Sequence, residues 1–286
     1  MDVNLIDGTY ELFRHYFAVP GDYGAVRGVL GSMLYMLENG TTHIGVATDH
    51  VIESFRNDLY AGYKTGEGVE PALMAQFPVL EEGLEAMGMV VWAMTDFEAD
   101  DALAAAAAKA AQDPNVSQVR ICTPDKDLAQ CVVGTRVVQV DRRRSLVRDE
   151  SGVVEKFGVS PTSIPDFLAV VGDTADGYPG IAKWGEKGAA SVLARYQHLE
   201  QIPKNWRDWH PSIKKAEALA ENLFGAWDDA LLFRTLATLR LDAPVFDSLD
   251  TLRWTGPRPE FAAFTQRIQS PDLLRRAEEL HVHVRP

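Results

Sequence analysis

The sequence predicts an α/β protein: a mostly parallel sheet flanked by helices, followed by a predominantly helical C-terminal region. Five short apolar runs, VNLID (3–7), HIGVATD (43–49), MVVWAMTD (89–96), QVRICTPD (118–125) and TRVVQVD (135–141), recur through the first half. Four of them are followed by helix-compatible sequence, and strands alternating with helices build parallel sheets. All five runs end on aspartate. Ligands of open parallel sheets bind at the carboxyl ends of the strands, so these aspartates are expected on one rim. An aspartate ending a strand also caps the following helix, so any one of them alone is ambiguous.

Beyond Asp141 the character changes: DRRRSLVRDESGVVEKFG reads as a short hairpin, and from SPTSIPDFLAVVGD onward the chain is mainly helical. A boundary is placed near residue 158, giving a domain over 1–158 and a helical region over 159–286. The two halves are expected to pack together, because no low-complexity linker separates them. Residues 191–241 contain several amphipathic helices, and DTLRWTGPRPEFAAFTQRI supplies a short extended piece and a last helix. The terminal HVHV, with His281 and His283, reads as alternation on a short strand rather than a metal pair. No internal repeat is present.

The 286 residues, 46% hydrophobic, suffice for a sizeable core. No apolar run reaches the roughly 18 residues of a membrane span, and MDVNLIDG lacks the pattern of a signal peptide, so a cytoplasmic protein is expected. Cys122 and Cys131 lack CxxC spacing, which points to buried fillers rather than a disulfide or zinc site. The net charge of −13 argues against a generic phosphate-binding surface. Carboxylates clustered around divalent cations reconcile that charge with a nucleic-acid partner, because bound ions reverse the local sign.

Nine acidic residues stand out by context: Asp7 after VNLI, Asp49 after GVAT, Glu98, Asp100 and Asp101 at a helix start, Asp125 and Asp127 in TPDKDLAQ, and Asp173 and Asp176 in GDTADG. Closely spaced carboxylates suit hard cations that take oxygen ligands. Two such ions, about 4 Å apart, can drive in-line displacement at a phosphodiester. Acids in a helix's first turn also complement its dipole, which is the simpler account of EADD taken alone. Four separate acidic clusters meeting at one rim would repel one another without a cation.

The order of motifs resembles the flap endonuclease and 5′-exonuclease family, including the 5′-nuclease domain of bacterial DNA polymerase I and stand-alone relatives. LIDGTYELFRHY, SFRNDLYAGYKTG, FEADDALA, TPDKDLAQ and VVGDTADGYPGIAKWGEKGAASVL carry the likeness, over roughly residues 3–195. The resemblance implies a PIN-like, Rossmann-like nuclease fold and phosphodiester hydrolysis with two or more Mg2+ or Mn2+ ions. The family's acidic ligands map onto all nine carboxylates above. It implies that Arg56 and Lys64 face the scissile phosphate, and Phe13 is a candidate for stacking on a terminal base, although core packing suits it better. PGIAKWGEKGAASVLARY, within about 165–196, resembles the family's helix-hairpin-helix (helix-three-turn-helix) element, with Gly180, Lys183, Gly185 and Lys187 at the duplex and a potassium ion held by turn carbonyls. Gly177 stands where the family usually has Asn, Lys183 where it usually has Gly, and Gly188 where it often has Thr, so a stiffer, more basic turn is expected.

The implied partner is DNA with a 5′ end, flap or nick, cut by a monomeric, stand-alone enzyme of replication or repair. The family's helical gateway, here about 65–90, carries glutamates at 67, 70, 81, 82 and 85 and no basic residue between Lys64 and Met89. An acidic gateway would disfavour threading of long flaps while leaving cleavage near duplex 5′ ends. Other readings are weaker. A haloacid-dehalogenase phosphatase needs a nucleophilic Asp where this chain has Leu5, and a DNA-binding protein that has lost cleavage should lack a ligand. A related PIN-like ribonuclease is disfavoured by the duplex-binding element.

Overall fold

The computed structural model describes residues 1–19 and 21–284. In chain order its strands are β1 (Asp2–Asp7), β2 (His43–Asp49), β3 (Val90–Met94), β4 (Gln118–Cys122), β5 (Val137–Asp141) and β6 (Leu146–Arg148). Its helices are α1 (Gly8–Tyr16), α2 (Gly24–Glu38), α3 (Phe55–Leu59), α4 (Pro71–Met74), α5 (Gln76–Ala86), α6 (Ala99–Ala110), α7 (Glu150–Phe157), α8 (Ile164–Val171), α9 (Glu186–Tyr196), α10 (Ala216–Gly225), α11 (Trp227–Ala237), α12 (Phe261–Arg267) and α13 (Pro271–Val284). All five expected strands form. They belong to two compact units that interleave along the chain.

The first unit comprises Met1–Ile52, Gly66–Thr123 and the segment from Arg240 onward. Four parallel strands run in the order β3-β2-β1-β4, with Leu5 opposite both Gly45 and Ile121. β1 and β2 are buried almost throughout, as continuous apolar runs require when helices cover both sheet faces. The alanine run of α6 serves close packing: nine of its twelve residues are buried, against all four strands. No helix among the described residues is long and apolar enough to cross a membrane.

The second half of the expected gateway, α5, packs into the core. α5 buries Phe77, Leu80 and Leu84 against α2, β3 and α12. Glu81 is buried too, accepting from Thr48 Oγ1 and bonded to His50 Nδ1, both at 2.7 Å. Glu70 accepts from the Tyr16 hydroxyl at 2.7 Å, and Glu82 pairs with Arg267 at 2.5 Å. The acidic side chains of α5 thus do not form one continuous repelling face.

The second unit comprises Glu53–Thr65 and Pro124–Leu239. Here β5 and β6 form the expected antiparallel hairpin, with Val140 opposite Val147. The DESGVVEKF that follows, expected to belong to that hairpin, is instead α7, because Asp149 caps it by accepting the Gly152 N–H at 2.9 Å. α8 packs on α11, with Ile164, Leu168, Val170 and Phe233 in the core. Residue 158 lies inside this unit, between α7 and α8, so the compact units are not sequential halves of the chain.

The C-terminus also departs from expectation. PEFAAFTQRI forms α12, yet α13 follows and carries HVHV at its end in helical form. Pro271 opens α13, Leu273 and Ala277 are buried, and Arg275 pairs with Asp272 and Glu279 along its outer face. His281 packs edge-on to Trp254, while the side chain of His283 lies outside the described residues.

Candidate metal centre and nucleic-acid interface

Two acidic stretches build one site within the second unit. In DKDLAQC a 3-10 turn, Asp127–Cys131, is opened by Asp125 Oδ1, which accepts the Asp127 N–H at 3.0 Å. Two glutamines hold this turn by its carbonyls. Gln130 Nε2 donates to Asp127 O at 2.8 Å, and Gln139 Nε2, on buried β5, donates to Asp125 O. Gln139 is fixed in turn by Arg148, which donates to its Oε1 at 2.8 Å.

The second stretch, GDTADGY, closes on itself. Asp173 and Tyr178 exchange both backbone hydrogen bonds, at 2.9 and 3.0 Å, and Asp173 Oδ1 accepts the Ala175 N–H at 2.9 Å. Gly177, at φ +88°, lies so near the Gly62 carbonyl that a Cβ would come within 2.1 Å of its oxygen. Glycine in place of the family's usual asparagine therefore lets the segment carrying Lys64 approach. That segment is fastened by Lys64 N–H donating to Asp176 O at 2.9 Å and by Asn57 Nδ2 donating to Lys64 O at 2.9 Å.

The outcome is a buried triad. Asp127, Asp173 and Asp176 each present an oxygen such that the three lie within 4.8 Å of one another, the group of this kind among the described residues. Lys126 Nζ lies 2.7 Å from Asp173 Oδ2, and Lys64 Nζ lies 3.0 Å from Asp176 Oδ1. Asp127 Oδ1 is buried without a hydrogen-bond partner. Burial, then the charges of Asp125, Asp176 and Asp173, push its carboxyl well above the usual carboxylate range. Burial opposes the charge on Lys126, but the hydrogen bond and charge of Asp173 outweigh it and raise its amine. Crowded oxygens, one of them orphaned, are the donor set a hard divalent cation takes.

Among the described residues, the carboxylates of the first unit form no group of that kind. Asp7 caps α1, Oδ1 accepting the Tyr10 N–H and Oδ2 the Thr123 hydroxyl, both at 2.8 Å. Asp49 Oδ1 accepts the Ala99 N–H at 2.7 Å, so the carboxylate ending β2 caps the start of α6. Asp101, fully buried, accepts Glu98 N–H at 3.0 Å with one oxygen and Arg240 N–H at 2.8 Å with the other. The structure thus places Asp101 as an anchor of the helix start rather than as a carboxylate turned outward. Glu98 is buried and Asp100 half-buried beside it.

Arg56 sits differently from the expectation. Arg56 is 1% exposed, its Nε donating to Leu236 O at 2.8 Å and its Nη2 to Thr238 O at 3.3 Å. It caps the carboxyl end of α11, where a guanidinium satisfies carbonyls that the helix leaves open. Gln130 completes that cap, donating to Ala237 O and accepting from Leu239 N–H, both at 3.0 Å. Buried in this way, Arg56 does not face solvent. Phe13 is half-buried with its edge toward Phe77, ring centroids 6.2 Å apart, in keeping with a packing role.

The turn between α8 and α9 does face outward. Lys183, Gly185 and Lys187 are exposed, Gly185 is the N-cap residue of α9, and Lys187 lies in its first turn. Trp184 anchors the turn, buried and donating its indole N–H to Leu219 O at 3.0 Å. Lys183 adopts φ +70°, the left-handed conformation for which glycine is suited, which explains why its departure from glycine matters. Gly180 serves close packing instead: a Cβ there would lie 2.4 Å from Gly172 N.

Sequence reasoning misses Lys126, Gln130, Gln139 and Tyr178. Lys126 is legible as the residue between two singled-out aspartates. The glutamines and Tyr178 carry no spacing that marks them.

Fold and site together define an α/β protein with a buried cluster of three carboxylates and an exposed basic turn between two helices. Residues 2–158 match the model of the 5′-3′ exonuclease N-terminal resolvase-like domain, and residues 159–260 that of the 5′-3′ exonuclease C-terminal SAM fold. The chain belongs to the 5′-3′ exonuclease family, with the PIN-like fold expected for it. It is 30% identical over 278 residues to a 5′-3′ exonuclease of Aquifex aeolicus, covering 94% of this chain and 91% of that one. It is 31% identical over 291 residues to DNA polymerase I of Bacillus caldotenax, covering 93% of this chain but 32% of the polymerase. The chain thus spans about a third of the length of such polymerase relatives. In fold it resembles T5 5′-exonuclease with bound divalent zinc ions (TM-score 0.64, 15% identity, 98% of each chain). It likewise resembles the catalytic core of Rad2 in complex with DNA substrate (TM-score 0.63, 14% identity, 98% of this chain and 90% of that one).

Proposed function

We propose that this protein is a structure-specific 5′ nuclease, a 5′-3′ exonuclease, flap endonuclease or both, that hydrolyses DNA phosphodiesters with divalent cations in replication or repair. The observation that carries this reading is the buried triad of Asp127, Asp173 and Asp176 with the orphaned Asp127 Oδ1. Mg2+ or Mn2+ suits that oxygen donor set, and bound there supplies Lewis-acid activation of the phosphodiester. Asp125 supports the triad through the Asp127 N–H. Asp7, Asp49, Glu98 and Asp100 are the further carboxylates offered to cations, with Asp101 anchoring the start of α6 that carries Asp100.

Lys64, partly exposed and paired with Asp176, is the side chain available to neutralise the phosphate. Arg56 acts on the reaction by holding the end of α11. The exposed turn with Lys183, Gly185 and Lys187 and the N-terminus of α9 binds duplex phosphates, with a potassium ion held by turn carbonyls. The substrate is DNA with a 5′ end, flap or nick, and the enzyme works as a cytoplasmic monomer.

The test is incubation of end-labelled flap, nicked and single-stranded DNA with Mg2+, Mn2+ or EDTA. Metal-dependent products starting from the 5′ end support the reading, and their lengths separate exonuclease from flap endonuclease. Substrate binding without cleavage in any metal would overturn it in favour of a protein that only binds DNA.

A further inference from the structure

The hairpin of β5 and β6 leads straight into α7, and strand and helix shape a groove of about 440 Å3. Leu146, Val147, Arg148, Gly152, Glu155 and Lys156 line it. Among the described residues β6 pairs with β5 alone, so its other edge presents backbone N–H and C=O groups to whatever comes beside it. Leu146 and Val147 are 42% and 49% exposed, apolar side chains left to water at that edge. Gly152 lets α7 lie close to β6, since a Cβ there would come within 2.9 Å of Arg148 Cγ.

Charge around the groove runs against that of the chain. The protein carries −13 overall, yet the hairpin holds Arg142, Arg143, Arg144 and Arg148, and Lys156 follows on α7. The neighbouring acids are turned to the backbone. Asp141 accepts the Arg144 N–H at 3.1 Å, Asp149 the Gly152 N–H at 2.9 Å and Glu150 the Gly134 N–H at 3.0 Å. Among the lining residues two cations therefore face one carboxylate, Glu155. None of the lining residues is aromatic, which disfavours a single strand of nucleic acid, whose bases stack on rings.

We propose that the groove between β6 and α7 docks an extended acidic segment of a partner protein. The segment adds a strand beside β6, lays an apolar side chain on Leu146 and Val147, and brings carboxylates to Arg148 and Lys156. In this mode main-chain hydrogen bonds supply affinity, and alternate side chains supply selectivity. None of the nine candidate carboxylates lines the groove, so docking does not depend on the cation site.

The test is fluorescence anisotropy of a labelled peptide of alternating glutamate and leucine, about eight residues long, titrated with the full chain at low salt. A lysine and leucine peptide of the same length is the control. The acidic peptide should bind saturably and the basic one should not. Affinity should fall about fivefold in Lys156→Glu, the upper worth of an exposed ion pair, and further in Leu146→Asp. Both substituted positions are exposed, so melting temperatures should stay near the wild type, and the two variants alter different elements, so either one decides. Absence of saturable binding, equal binding of the two peptides, or wild-type affinity in the folded variants overturns the proposal, and the arginines then only guard the strand edge. If the peptide fails while Lys156→Glu weakens binding of duplex DNA, the groove belongs to nucleic acid and the proposal falls. Light scattering that shows a dimer of the unliganded chain, abolished by Leu146→Asp, gives the edge to a second copy and overturns it as well.

Discussion

Lys126 Nζ lies 2.7 Å from Asp173 Oδ2, so a lysine rests on one carboxylate of the buried triad. Lys64 stands in the same relation to Asp176. These amines partly neutralise a cluster whose crowding would otherwise oppose folding, and they compete with any divalent ion for the same oxygens.

Lys126→Met should therefore lower the melting temperature of the metal-free protein and tighten Mg2+ binding. The two effects have opposite signs because the lysine helps the fold and hinders the ion. Calorimetric titration of Mg2+ beside a metal-free melt reads both, and weaker Mg2+ binding would show that Lys126 assists the ion instead.

Asp127→Asn should abolish cleavage while stabilising the metal-free fold. The buried carboxyl is pushed up by burial and by three neighbouring acids, so its ionised form is a burden in the absence of a cation. A rise in metal-free melting temperature together with loss of product from a labelled flap substrate is the expected pair.

Arg56→Met should destabilise the fold by about 2–4 kcal/mol, because the carbonyls at the end of α11 lose a charged, buried donor. Turnover per folded molecule should fall far less than for Lys64→Met. Denaturant melts and single-turnover rates on the same preparations separate the two roles.

Lys183→Gly should stabilise the turn by about 1 kcal/mol, since the residue is held at φ +70°. It should also weaken duplex binding at low salt by removing one exposed charge. The slope of affinity against salt should become shallower.

His43, on β2, gives a pH signature unconnected with the metal site. Burial first, then Arg253 and the N-terminal amine, lower its pKa below the ordinary 6.5. The folded state thus binds fewer protons than the unfolded one, so this contribution is complete above 6.5 and is lost as pH falls through it. His43→Gln should flatten the decline in melting temperature between about pH 7 and about pH 5.

Much of this fold is legible in the order of residues alone. Each of the five strands appears within a few residues of its apolar run, because strands covered on both faces leave an uninterrupted hydrophobic signature. The acidic stretches are equally visible, since carboxylates are rarely grouped without cause. α7 and α13 are not, because Asp149 as a cap and the buried Leu273 and Ala277 are recognisable only once their partners are known.

By itself the sequence determined the strand set, the family and the nine candidate carboxylates, all of them properties of residue type and order. Tertiary structure decided their employment. Asp127, Asp173 and Asp176 face one another, Asp101 accepts two backbone amides, and Arg56 turns inward to close a helix. The reason is that a carboxylate or guanidinium has the same composition whether it awaits a ligand or satisfies a backbone group. Only the position of its neighbours tells the two apart.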